Sequence, residues 1–104
     1  MIIMFGKTLV DENDNTLTED GRKGGKPATL RFIAVKALSM VYQDEQNLSG
    51  EEKFKRYDLA MKIKADPVDL EVEEISLIKK LIGKAYGPVI VWQAWNILEG
   101  KTNE

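Results

Sequence analysis

The residue types that most often carry out chemistry in proteins are scarce in this chain. It contains no cysteine and no histidine among its 104 residues. Thiolate nucleophiles, disulfides and the commonest general base and metal ligand are therefore excluded. A carboxylate-based hydrolase is the main enzymatic chemistry left, and no recognisable catalytic motif accompanies the carboxylates. The composition therefore favours a protein that is not an enzyme, with no cofactor and no bound metal.

One acidic segment resembles a calcium site at first sight. Asp11, Asn13 and Asn15 alternate as in the opening of a calcium-binding loop. That twelve-residue loop also needs glycine at its sixth position and glutamate at its twelfth, where this chain has Thr16 and Arg22. Asn and Asp are also the residues that hydrogen-bond their own backbone in turns. The segment is therefore interpreted as a turn rather than a metal site.

A glycine-rich basic loop follows this turn. The stretch from Gly21 to Lys26 resembles a phosphate-binding loop, but Asp20 occupies the position of its first glycine and Pro27 follows the lysine. It is not a nucleotide-binding motif. Two interpretations stay open, a solvated flexible loop and a loop whose cations contact phosphates without sequence specificity.

The second predicted helix is also rich in cations, which permits a nucleic-acid interpretation. Its acids lie four residues from its bases, so intrahelical pairs absorb much of this charge. The net charge of −2 is far from the basic balance of a dedicated nucleic-acid binder. The alternative function is therefore a nucleic-acid-binding accessory or regulatory protein. Its candidate contacts are Arg22, Lys23, Lys26, Lys53 and Arg56.

An acidic cluster precedes the third predicted helix. Paired carboxylates act as acid and base only when their environments separate their pKa values. Negative charge also stabilises the N-terminal end of a helix, which explains the cluster without catalysis. We favour the second interpretation. The cluster comprises Asp66, Asp69, Glu71, Glu73 and Glu74.

The elements that must hold these residues predict an α+β fold in one domain, residues 1–104. We expect a β-hairpin within residues 1–19. It consists of a strand over Ile2–Val10, the Asn- and Asp-rich turn at 11–15 and a short return strand over Thr16–Thr18. Residues 20–28 are predicted to form a flexible loop, 29–99 a unit of about four helices, and 100–104 a tail. The alternation at 68–70 permits a third strand.

Capping residues and apolar spacing place the four helices. The first is predicted from Leu30 to about Tyr42 after Thr29, and the second from Gly50 to Lys64 or Ala65 after Ser49. The apolar face of the second helix is predicted to consist of Phe54, Tyr57, Ala60 and Met61, widened by Leu59 and Ile63. The third follows Glu71 and the fourth runs from Pro88 to about Leu98, with Gly87 ending the third in a left-handed conformation.

The fourth helix carries both tryptophans and has more apolar surface than one neighbour can cover. Trp92 and Trp95 are three residues apart and share one helical face. They belong either to the core or to an exposed contact patch, since tryptophan is enriched at interface hot spots. We favour a homo-oligomer or partner interface formed by Val91, Trp92, Trp95 and Leu98.

Two stretches of the chain resemble a group of small phage- or prophage-encoded proteins that are functionally uncharacterised. They are LSGEEKFKRYDLAMKI and LEVEEISLIKKLIGKAYGPVIVWQAWNILE, and the resemblance covers about residues 29 to 99. It implies a phage protein acting in the host cytoplasm and supplies no catalytic residues.

The leading prediction is therefore a non-enzymatic protein-interaction, assembly or accessory module that forms a homo-oligomer through a helical surface. Its partners would be further copies of the chain or another phage or host protein. No apolar run approaches the ~20 residues that span a membrane, so no membrane partner is expected. Charge is distributed in blocks: acids dominate residues 1–20, and residues 21–43 carry only bases. Such blocks can pair within one fold or between subunits.

Overall fold

Four α-helices and a short antiparallel β element make up the fold. The computed structural model describes residues 1–65 and 67–100. This arrangement confirms the predicted α+β fold class. The helices are α1 (Leu30–Ser39), α2 (Gly50–Lys62), α3 (Val72–Ala85) and α4 (Pro88–Leu98), with a 3-10 helix at Gln43–Glu45 and strands β1 (Ile2–Ile3) and β2 (Val68–Asp69).

The two regular strands come from distant parts of the chain. β1 pairs antiparallel with β2, and Ile3 lies opposite Val68. The strand expected near 68–70 is therefore present, and its partner is the start of the chain. The predicted strand Ile2–Val10 is regular only over Ile2–Ile3, because a turn at Phe5 and Gly6 redirects the backbone.

Residues 8–29 form a tight set of backbone pairings beside the helices. The predicted hairpin contact is present as a bridge between Val10 and Thr16, around the turn at 11–15. Leu17 N donates to Leu9 O (2.9 Å), Ala28 N to Leu17 O (2.7 Å), and Leu9 N to Ala28 O (3.0 Å). The segments that contain Leu9, Leu17 and Ala28 therefore each form a backbone hydrogen bond to both of the others. Residues 26–28 belong to this paired region, so the predicted loop over 20–28 shortens to a turn at 20–25.

Side-chain caps explain where three of the helices begin. Thr29 Oγ1 accepts from Phe32 N (3.2 Å), and Ser49 Oγ accepts from Glu52 N (3.1 Å). The Glu74 carboxylate accepts from Glu71 N (2.9 Å) at the start of α3. These bonds satisfy backbone donors that have no partner inside the helix. The predicted starts of these helices are therefore confirmed.

Helix α3 packs between α1 and α4, and α1 also packs on α2. This order makes α1 and α3 the two inner helices of the layer. The buried residues of α3 are Ile75, Ile78, Leu81 and Ile82. They meet apolar side chains from α1, α4 and the N-terminal segment in one core, which includes Phe5, Leu9, Leu30, Ile33, Ala94 and Leu98.

Three predicted helix ends differ from the structure. α1 stops at Ser39 rather than Tyr42, because the Tyr42 hydroxyl turns back and donates to Ala37 O (2.7 Å). α2 stops at Lys62 rather than Lys64 or Ala65. Gly87 is not left-handed: it has φ −83° and forms the N-cap of α4. α4 itself runs from Pro88 to Leu98 as predicted.

The apolar face predicted for α2 is buried at Leu59 and Ala60 and exposed at its larger residues Phe54, Tyr57 and Met61. Phe54 is 72% exposed and Tyr57 is 52% exposed, while Arg56 is only 4% exposed. The buried guanidinium forms an ion pair with both carboxylate oxygens of Glu45. A charge can be buried at this position because it is paired with the Glu45 carboxylate, whose side chain is 10% exposed. This pairing turns α2 so that three large apolar side chains, including Met61, face outward.

A candidate protein-interaction groove beside helix α4

The two tryptophans of α4 have different environments. Trp92 is 62% exposed, whereas Trp95 is 36% exposed. The Trp95 indole donates from Nε1 to Lys79 O (3.0 Å), and the Lys79 ammonium lies 4.6 Å from the centroid of its ring. Lys79 Nζ also pairs with Glu99 (2.8 Å). Trp95 therefore joins α4 to α3, and Trp92 is the tryptophan that remains available for contact.

A groove of about 690 Å³ lies between α4 and the paired segment at 7–14. We call it the α4 groove. Its walls are mainly apolar, which is typical of concave binding sites in proteins. The walls are formed chiefly by Leu9, Val10, Pro88, Val89, Trp92 and Ile97.

Gln93 holds the two sides of the α4 groove together. Its Oε1 accepts from Val10 N (2.9 Å), and its Nε2 donates to Val10 O (2.6 Å). Nε2 also lies 3.0 Å from Val89 O in its own helix. The side chain thus satisfies a backbone donor and acceptor as a neighbouring strand would. The groove is preformed by these bonds, and the backbone at Val10 is not free to accept another strand.

In the sequence, Gln93 is one of two polar residues that interrupt the otherwise apolar α4. A glutamine amide on an otherwise apolar helix must find both a donor and an acceptor when it is half-buried. That requirement is the one sequence signal that could have identified Gln93. The identity of its partner, 83 residues away, depends on the tertiary fold.

Carboxylates line one rim of the α4 groove. Asp11, Glu12 and Asp14 lie there with Lys7 as the cation among the lining residues. Asp11 Oδ1 accepts from Asn13 N (2.8 Å) and Asn15 N (2.9 Å), which holds the pKa of Asp11 below its usual value. Asp14 has φ +64°, a left-handed conformation that aspartate tolerates. The interpretation of this segment as an Asx turn is therefore confirmed, and its acids face the groove.

The other predicted interface residues divide between the surface and the core. Val91 is half-buried and packs on the core, and Leu98 is fully buried. Leu98 cannot contact a partner without unfolding of α4. The prediction of Leu98 as an interface residue is wrong, because the apolar excess of α4 is partly covered by α3 and the N-terminal segment.

The cations predicted for nucleic-acid contact do not form one set. Arg22 and Lys23 are exposed in the turn at 20–25, and Lys53 is exposed on α2. Arg56 is buried against Glu45 and offers no guanidinium to a ligand. Arg56 is therefore removed from the candidates, because its charge is already neutralised inside the fold.

A different group of cations gathers on the far side of α3. Lys26, Arg31, Lys36 and Lys64 line a cleft of about 580 Å³, and Glu19 supplies the carboxylate among the described lining residues. We call this the basic cleft. Lys26, Lys36 and Lys64 are exposed, while Arg31 Nε is bound to Ile63 O (3.0 Å). Phe32 and Val35 form an apolar floor, and Lys36 Nζ lies 5.3 Å from the Phe32 ring centroid.

The acidic cluster before α3 serves local structure. Glu74 pairs with Lys62 of α2 (3.0 Å) and accepts from Glu71 N, and these bonds lower its pKa against the effect of its burial. Asp66 lies outside the described residues. Among residues 1–65 and 67–100, no three acidic side chains gather in a way that could hold a metal ion.

Comparison with protein-family models, with curated proteins and with solved structures finds no match. The geometry of the molecule is therefore the basis for inferring its function. Within the part of the chain that the structure describes, no helix is long and apolar enough to cross a membrane.

Proposed function

We propose that this chain is a non-enzymatic protein-interaction module that associates with further copies of itself through the α4 groove. The observation that carries the proposal is the exposure of Trp92 at the mouth of a preformed apolar groove. An exposed tryptophan beside a groove is the arrangement found at interface hot spots, where one aromatic side chain contributes much of the binding energy. Self-association also covers apolar surface that a chain of this length leaves exposed.

The environment of Trp95 supports this assignment. Its indole N–H already has a backbone acceptor, so it needs no partner molecule to satisfy it. Trp92 has no side-chain bond of this kind among the contacts of the described residues. A tryptophan in contact with water at 62% exposure loses the hydrophobic stabilisation that burial provides, and a second copy supplies that burial. The resemblance to small phage proteins extends the proposal to an assembly or accessory role in the host cytoplasm.

Light scattering after size-exclusion chromatography tests the proposal. We expect the parent chain to associate with increasing concentration and Trp92→Ser to remain monomeric. Tyr57→Ser is the matched control, because Tyr57 is a similarly exposed aromatic residue on α2, away from the groove. A parent chain that stays monomeric at high concentration, or equal losses of association in both variants, would overturn the proposal.

A second candidate function is a nucleic-acid accessory protein, which the basic cleft favours. Three exposed lysines around a partly buried phenylalanine combine phosphate contacts with a surface for base stacking. Retention on immobilised single-stranded DNA, measured against salt concentration, tests it. A nucleic-acid binder is retained at low salt and released steeply as salt rises, and Lys36→Glu should abolish retention. Absence of retention at low salt excludes this function.

A further inference from the structure

Three carboxylates and one cation, Lys7, line the α4 groove, and this excess of negative charge affects how two copies can meet. If two copies met groove to groove, Asp11, Glu12 and Asp14 of one copy would face the same three carboxylates of the other. Like charges brought together at a desolvated contact cost several kcal/mol. A symmetric contact through this groove is therefore disfavoured. The groove instead suits an apolar surface bordered by cations.

The same chain carries such a surface. In the basic cleft, Lys26, Lys36 and Lys64 border an apolar floor of Phe32 and Val35. The apolar floor matches the walls around Trp92, and the cations match the acidic rim. The block of acids in residues 1–20 and the block of bases in residues 21–43 supply the two opposite surfaces.

The two surfaces use different residues. The residues that line the α4 groove and the basic cleft do not overlap. The helix of the groove, α4, and the helix of the cleft, α1, both pack against α3. A contact through the groove therefore does not use the residues of the cleft.

We propose that copies of this chain associate head to tail, with the basic cleft of one copy seated on the acidic-rimmed α4 groove of the next. This inference rests on the proposed function, because it specifies which surface of the second copy fills the groove. A head-to-tail contact repeats, so it generates closed rings or open filaments rather than a two-fold dimer. Its strength falls as salt screens the exposed charges.

Two charge variants test the inference separately and together. The groove variant combines Glu12→Gln with Asp14→Asn, which removes negative charge without adding positive charge and keeps a residue that tolerates the left-handed conformation at position 14. The cleft variant combines Lys36→Glu with Lys64→Glu. All four positions are exposed, so both variants should fold, as checked by a thermal midpoint equal to that of the parent chain in dilute solution, where association does not contribute. Each variant alone should associate about tenfold or more weakly than the parent chain.

The equimolar mixture of the two variants is the decisive measurement. The groove variant retains an intact cleft, and the cleft variant retains an intact groove. A head-to-tail contact therefore predicts that the mixture forms a discrete one-to-one heterodimer that cannot extend, seen by sedimentation velocity. A symmetric contact predicts no such rescue. Absence of the heterodimer would overturn the inference.

Further outcomes distinguish a failure of this inference from a failure of the proposed function. If the parent chain associates and Trp92→Ser abolishes association while both charge variants associate normally, the groove is the interface and the head-to-tail arrangement is wrong. If the parent chain is monomeric, the proposed function fails, and with it the inference. Lys55→Glu with Lys80→Glu is the matched control, since both lysines are exposed and lie outside the cleft. Equal weakening by this control would indicate a general charge effect and would contradict the inference.

Discussion

The Glu45–Arg56 pair shows how one buried contact determines the exposed surface of a helix. Arg56 donates to both oxygens of the Glu45 carboxylate from a position that is 4% exposed. This partner lowers the pKa of Glu45 from 4.5 to about 2. An ionised, buried pair of this kind is costly to break because the remaining charge has no partner.

We expect Glu45→Gln to lower the free energy of unfolding by roughly 3 kcal/mol at neutral pH. Because the pKa of Glu45 is lower in the folded chain, the pair stabilises the fold above about pH 4.5, and its contribution is lost as the pH falls toward about 2. As the pH falls from about 4.5 to about 2, the free energy of unfolding should therefore decrease less in Glu45→Gln than in the parent chain. Urea unfolding at a series of pH values measures this. Asp44→Asn, which removes an exposed partner of Lys84, is the control and should reduce stability much less than Glu45→Gln.

Gln93 provides a second test of a single side chain. Gln93→Ala removes the donor and acceptor that satisfy the Val10 backbone, so we expect a loss of about 1–3 kcal/mol. Amide hydrogen exchange at Val10 should accelerate more than exchange in the core of α3. Gln43→Ala, at an exposed glutamine of the 3-10 helix, should leave both unchanged. Unaltered exchange at Val10 in Gln93→Ala would show that this amide does not hold the groove together.

Helix α4 is held to α3 by Trp95 and presents Trp92 to solvent. Trp95→Phe removes the indole donor to Lys79 O and keeps an aromatic ring, so we expect a loss of about 1 kcal/mol. Trp92→Phe removes no such bond and should change the free energy of unfolding by less than about 0.5 kcal/mol. Denaturant unfolding of the two variants in dilute solution compares these values directly. Equal losses would contradict the separate roles of the two tryptophans.

The large exposed apolar residues of α2 should tolerate substitution, although the apolar pattern of this helix predicts that they are buried. Phe54→Ser and Tyr57→Ser should each cost no more than about 0.5 kcal/mol, because both side chains are exposed. Leu59→Ala on the buried side of the same helix should cost about 2–4 kcal/mol. Thermal or denaturant unfolding distinguishes the two faces. Large losses at Phe54 or Tyr57 would mean that this face is covered in solution.

Association of the whole molecule should be visible in its stability. A contact that forms only between folded copies stabilises the folded state by mass action, so the thermal midpoint should rise with protein concentration. The rise should disappear in Trp92→Ser, and high salt should reduce it because the groove and the cleft are charged. Calorimetry at several concentrations measures this. A midpoint independent of concentration would contradict self-association.

The local signals in the chain predicted most of the helical layer. Ser49 and Thr29 mark helix starts because a side-chain oxygen before a helix accepts a backbone N–H, whatever the surrounding fold. Pro88 marks the start of α4 because its ring fixes a helical backbone angle and needs no hydrogen-bond donor. The apolar spacing of α3 identified its buried side, since that helix has one clear apolar face and packs between two others.

The candidate site depended on contacts between distant residues. Periodicity could place Trp92 and Trp95 on one face of α4, but only the approach of Lys79 makes one of them structural and leaves the other exposed. The apolar pattern of α2 predicted burial of Phe54 and Tyr57, but both are exposed, and Arg56 is buried in contact with Glu45. Helix caps depend on residues that are a few positions apart, so they can be recognised from the sequence alone. The packing of the whole molecule determines which distant side chains come into contact. That packing brings Gln93 to Val10 and so forms the groove.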